Sequence, residues 1–270
     1  MYELNGMWGP GPVGVEVEFA AGESDPGGDV WEPDRLLDER RFAVEPGWIE
    51  PAVELGARVR SIVGQGDARQ VLLSTAEAEN ANLVVVGRTG AGGGPGFLHL
   101  GSAVEYVSHH MSIPLAVVPG DSSRGIGRIV VGVDGSAESL RALAWVTEIA
   151  PSMGSSVVVV QVAEPLLGWT PESSPENWRR DVERHLEEWS ATLRNEDVPV
   201  ELVAQRDLRP ADGLLGVATA RRGDLLVIGT RGTGGFTGLR AGGVDLRVLH
   251  RAHLPLVLVP PSSLGRWRRG

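Results

Sequence analysis

The sequence predicts an α/β protein made of two tandem, doubly wound parallel-sheet repeats, the first lacking its first strand and helix. Three observations predict this. The apolar runs at 83–87 (LVVVG) and 225–229 (LLVIG) lie 142 residues apart, and each opens a Gly-rich loop. Short helical stretches follow at Ala103–His110 and Val244–His250, and each half closes on an apolar strand before proline, Pro114–Pro119 and Pro255–Pro260. The strand runs do not alternate between apolar and polar residues, the mark of strands covered on both faces, and helical segments separate them.

The second half reads through in order. Arg128–Val133 is a continuous β-branched strand. Asp134, Gly135 and Ser136 make the turn, with Ser136 as N-cap of a helix through Ala150, whose buried stripe holds Leu140, Leu143 and Ala144. Val157–Val162 is the second strand, Trp178–Leu193 a charged amphipathic helix and Pro199–Val203 the third strand. Pro210–Ala220 is a helix leading into the fourth strand, Leu225–Gly229. Right-handed crossovers then give an open parallel sheet.

In the first half, Val15–Ala20 aligns with Val158–Ala163 and takes the place of the second strand. The preceding Met1–Gly14 is too short for a strand, an Asp-Gly-Ser turn and a helix. Those elements either lie upstream of Met1 or have been lost. The first is expected, because losing a central strand leaves backbone groups unpaired. The organisation is therefore a first repeat over 1–121, a second over 126–261 and a tail over 262–270.

Composition narrows the chemistry. The 270 residues carry 25 basic and 35 acidic side chains, a net charge of −10 that repels phosphate backbones and anionic lipid. Neither nucleic acid nor membrane is an expected partner. All the basic residues are arginine, as in a GC-rich bacterial gene, so a lysine-dependent phosphate loop or Schiff base is excluded. Cysteine is absent too, which removes disulfides, thiol nucleophiles and Cys-based metal sites. With no signal-like or membrane-length apolar run, a cytoplasmic protein is expected.

The ordered set VVGVDGS at 130–136, GTRGTGGFTGLRAGG at 229–243 and a closing PLVLVP resembles the universal stress protein family. The resemblance covers the second repeat, residues 83–119 of the first and, more weakly, the chain back to Val15. It implies Rossmann-like repeats of the adenine-nucleotide-binding type. In the family's ATP-binding members, glycine, two residues, glycine, nine residues and glycine precede a Ser or Thr. Glycines admit the phosphates to the backbone, and a helix N-terminus adds donors. Gly229, Gly232 and Gly242 match that spacing, whereas Gly243 stands where the hydroxyl belongs and Asp245 where a second Ser or Thr belongs. The first repeat keeps Ser102 after Gly101, but ten residues separate Gly90 from Gly101, and Val104 replaces the second hydroxyl.

The resemblance implies that Asp134, with Gly132 and Val133 beside it, lies near the nucleotide and its Mg²⁺. It also implies that Val162 offers backbone atoms to adenine, that Ile228 lines the base pocket, and that Gly243 and Val244 adjoin the phosphates. A carboxylate about 4 Å from a phosphate charge costs roughly 4 kcal/mol at an effective dielectric near 20. A lost hydroxyl to a charged group costs roughly 1.5–3 kcal/mol more. Arg231, Arg240 or Mg²⁺ would offset part of this.

Other candidates read as structure. Neither Gly-rich loop is a dinucleotide fingerprint, since Pro95 and Thr237 fall where the third glycine belongs. His109 and His110 are adjacent and cannot share a helix face, and His250 and His253 lack completing ligands, so no metal site is expected. His109 and His250 suit helix C-termini. Glu183, Glu187 and Glu188 alternate with Arg179, Arg180 and Arg184 as a solvated face.

The expected function is ATP binding with Mg²⁺ and stress signalling through ligand-dependent conformation, without enzymatic activity beyond slow hydrolysis. The edge strands Leu115–Val118 and Leu256–Val259 are expected to pair, with each other as a pseudo-dimer or with a second chain as a homodimer. Two alternatives stay open: a nucleotide-free scaffold, and a sensor of another nucleotide in the same crevice.

Overall fold

The structure, a computed structural model, describes residues 14–19, 52–54, 56–64, 66–88, 101–120, 125–163, 175–230 and 243–261. The chain divides into two compact units between Ala81 and Asn82.

In the first unit, β1 (Gly14–Phe19) and β2 (Val59–Gly64) form a parallel pair in the register Gly14 to Val59 through Phe19 to Gly64. Helix α1 (Ala68–Ala78) follows, and Asp67 caps it by accepting from the Arg69 backbone N–H at 2.9 Å. These three elements stand where the repeat offset puts the second strand, third strand and following helix of the second half.

The second unit is built on β3 (Val84–Gly87), β4 (Leu115–Val118), β5 (Arg128–Gly132), β6 (Ser156–Ala163), β7 (Val200–Arg206), β8 (Leu225–Gly229) and β9 (Leu256–Val259). They make one seven-stranded sheet in the order β3-β4-β9-β8-β5-β6-β7. Every neighbouring pair is parallel except β4 with β9, which run antiparallel with Leu115 opposite Leu258, Ala116 opposite Val257 and Val117 opposite Leu256. The two closing strands thus pair with each other, β9 buried throughout and β4 from Leu115 to Val117. The α/β, Rossmann-like character of the second half matches the sequence reading. The central strands β5, β6 and β8 are buried on both faces, from Ile129 to Val131, Val157 to Val160 and Leu225 to Val227, which is why their sequences do not alternate.

The helices are α2 (Ser102–His110), α3 (Ala137–Met153), α4 (Pro175–Trp189), α5 (Ala191–Asn195), α6 (Pro210–Ala220) and α7 (Gly243–Arg251). Helix α3 runs past the expected end at Ala150, carrying Pro151 in its last turn, and stops at Gly154 in the left-handed conformation (φ 62°). Its buried stripe is Ser139, Ala142, Leu143, Val146, Ile149 and Ala150, with Trp145 alongside. Of the expected stripe only Leu143 is buried, because Leu140 and Ala144 lie on its flank. The helix expected over Trp178–Leu193 is broken at Ser190, which is fully buried, keeps the helical N–H bond to the Leu186 carbonyl and turns out of the helix with ψ at 1°. On α4, Arg184 pairs with Asp181 at 3.5 Å.

Candidate functional site

The carboxyl ends of β5, β6 and β8 meet at one end of the sheet, where open α/β sheets hold ligands. Val133 continues β5 by donating its N–H to the Val160 carbonyl at 2.8 Å. The chain then turns through Asp134 to Ser136. One Asp134 carboxylate oxygen accepts from the Ser136 N–H at 2.9 Å and the Ser136 hydroxyl at 2.5 Å. Ser136 caps α3, accepting from the Ser139 N–H at 3.2 Å, and the Ser139 hydroxyl accepts from the Asp134 N–H at 3.1 Å. Ser139, a residue that the sequence did not single out, therefore ties both ends of the turn. Its nearest signal was the Ser-x-x-Ser spacing before an apolar helix.

Gly229, the last residue of β8, closes this end from the other side. A Cβ there would lie 2.8 Å from the Glu138 carbonyl carbon and oxygen, and 3.1 Å from the Ser139 nitrogen. The first turn of α3, which follows the Asp134 turn, and the start of the second Gly-rich loop thus approach closely, although they lie far apart in sequence. Gly132 is packed as closely, with Leu214 Cδ2 2.9 Å and Ile228 Cγ2 3.3 Å from where its Cβ would stand. Ile228 is buried and Val162 half-buried. Val162 packs against α6 at Gly213. Both apolar residues therefore contribute to the packing at this end of the sheet.

Gly243 and Val244 open α7, so both lie at a helix N-terminus, and Asp245 is its third residue. Gly232 and Gly242 lie outside the described residues. In the first half, Gly101 precedes α2, which starts at Ser102, so that Gly-rich loop also ends on a helix N-terminus. The histidines stand at helix C-termini, His109 and His110 on α2 and His250 on α7. His110 stacks on Tyr106 at 4.0 Å, and among the described residues no cluster of His, Asp and Glu could hold a metal ion.

Arg88 was missed by the sequence reading. It is the first residue after β3 and is buried, and its guanidinium donates to the carbonyls of His250 and Ala252 at the end of α7. Burial pulls its pKa below the ordinary value, yet a guanidinium stays charged at neutral pH. The available signal was an arginine directly after an apolar strand, where the second half has Thr230.

No helix among the described residues is long and apolar enough to cross a membrane. The sequence profile of the Universal stress protein family matches residues 18–119 and again residues 125–260. A universal stress protein of Mycolicibacterium smegmatis is 33% identical over 192 residues, spanning 68% of this chain and 63% of the relative. A universal stress protein of Mycobacterium bovis is 29% identical over 215 residues, 74% of this chain and 66% of the relative. The chain thus spans just under two thirds of these relatives. A crystal structure of a universal stress protein from Archaeoglobus fulgidus superposes with a TM-score of 0.61 at 18% identity, over 84% of this chain and 78% of that one, a likeness of fold.

Proposed function

The chain belongs to the universal stress protein family, and from that premise we propose that its second repeat binds an adenine nucleotide, ATP with Mg²⁺. The observation that carries this reading is the backbone contact between Gly229 and the start of α3. It joins the Asp134 turn to the mouth of the Gly-rich loop at the carboxyl end of the sheet. Gly243 and Val244 begin a nine-residue helix there, whose first-turn N–H groups have no partners within the helix. The chemistry of the described residues suits a nucleotide: the helix end would hold phosphate oxygens, Asp134 would face Mg²⁺, and Val162 and Ile228 would border the base. Mg²⁺ would neutralise charge between the phosphates and Asp134.

The activity we propose is binding rather than catalysis, with slow hydrolysis at most. The bound and free states would be signalled through the continuous sheet, in which β9 joins β8 to β4 of the first half. A second reading, a nucleotide-free scaffold, is favoured by Gly243 in place of a hydroxyl and by Asp245 within the first turn of α7. Calorimetric titration with Mg-ATP, with Asp245→Ser alongside, separates the two. Micromolar binding at about one site per chain supports the sensor. No heat from the parent and binding by Asp245→Ser would overturn ATP binding by this chain and favour the scaffold.

A further inference from the structure

We propose that Arg88 is a positioning residue that fixes helix α7, so that the first repeat sets the geometry of the second repeat's ligand end. The antiparallel pairing of β4 with β9 brings the carboxyl end of β3 to the end of the sheet where α7 finishes and β9 starts. Arg88 is the first residue beyond β3, and its N–H donates to the Val118 carbonyl at 2.9 Å. Its carbonyl accepts from the Gly101 N–H at 3.1 Å, closing the base of the first Gly-rich loop.

The backbone of the second half repeats this arrangement, since the Thr230 N–H donates to the Val259 carbonyl at 3.1 Å. The side chains do not repeat it. Arg88 sends two guanidinium nitrogens to the carbonyls of His250 and Ala252, whereas the equivalent residue is the short Thr230. A helix leaves its last carbonyls unpaired and carries partial negative charge there, so a buried, fixed cation with two donors suits that end. An arginine at the mouth of a Gly-rich loop is a natural phosphate ligand. Here it is directed into the other repeat and holds the helix whose N-terminus adjoins the proposed phosphates. A rigid nine-residue helix held at one end transmits that constraint to the other.

The inference rests on the proposed nucleotide site for its ligand consequence alone; the hold on α7 stands on the contacts. The test uses full-length Arg88→Met and Arg88→Lys, read by amide hydrogen exchange and by Mg-ATP titration. Arg88→Met is expected to speed exchange of the amides from Leu249 to Ala252 at least tenfold, while β6 amides change little. Arg88→Lys, with one nitrogen for two carbonyls, falls between, and it carries the test if Arg88→Met does not fold. Affinity for Mg-ATP is expected to fall three- to tenfold. Exchange within twofold of the parent in both variants overturns the proposal, and faster exchange with unchanged affinity overturns the coupling. If the parent itself does not bind Mg-ATP, the nucleotide reading fails, and exchange alone decides whether Arg88 holds α7.

Discussion

Val85 and Val227 occupy equivalent positions 142 residues apart, yet Val85 is 57% exposed and Val227 is fully buried. The difference comes from what covers each strand. Helix α3 lies over β8 on the face that Val227 shares with Gly229, and β5 pairs along its side. Among the described residues, β3 pairs only with β4 and ends the sheet. Val227→Ala is expected to lower unfolding stability by about 2 kcal/mol, from lost burial and the cavity left behind. Val85→Ala should stay within about 0.5 kcal/mol, as surface substitutions do. Urea unfolding of both variants checks this, and equal losses would contradict the asymmetry.

The close approaches at the sheet end predict a ranking of glycine variants. A methyl at Gly229 meets the backbone of Glu138, which cannot turn aside, so Gly229→Ala should cost about 2–3 kcal/mol. At Gly132 the nearest atom is the end of the Leu214 side chain, which can rotate, and about 1 kcal/mol is expected. Chemical denaturation gives both values. A larger loss at Gly132 would mean that the two packings are reversed.

Asp134 has a structural duty and a proposed ligand duty, which two variants separate. Asp134→Ala removes the acceptor for the Ser136 N–H and hydroxyl and should cost about 1–2 kcal/mol. Asp134→Asn keeps an acceptor and should stay within about 0.5 kcal/mol, while losing the charge that would face Mg²⁺. Calorimetry with and without Mg²⁺ decides. If Asp134→Asn binds Mg-ATP as the parent does, the turn is the whole role of this residue.

The cap of α1 is pH-sensitive in a defined window. The Arg69 side chain, and then the Arg69 backbone N–H, hold the Asp67 carboxyl down at about 2, against an ordinary 3.8. A lowered folded pKa means that the contribution is whole above the ordinary value and is lost as pH falls through about 2. NMR titration of the Asp67 carboxyl carbon should therefore give a midpoint near 2 in the parent. In Arg69→Met it should move up toward the ordinary value. A midpoint unmoved by Arg69→Met would rule out the pairing as its cause.

Much of the architecture is legible along the chain because it is local. Pro210–Ala220 and Leu225–Gly229 stand where composition and periodicity put them, and Ser136 caps α3. The break at Ser190 was not legible, since a serine within a helical pattern carries no local stop signal, and the turn out of the helix shows only in its backbone angles. The turn at Asp134 could be read from three residues. The approach of Gly229 to the start of α3 could not, because the strand order of the sheet creates it.

The sequence by itself determined the duplication, the unalternating strands, the turn chemistry and the absence of lysine and cysteine chemistry, all of which reside in neighbouring residues. Tertiary structure alone decided that the two closing strands pair with each other, that Val85 is open where Val227 is covered, and that Arg88 serves α7. Each depends on which backbone edge or helix end lies alongside. That follows from sheet order and strand direction, which bring together residues more than a hundred positions apart.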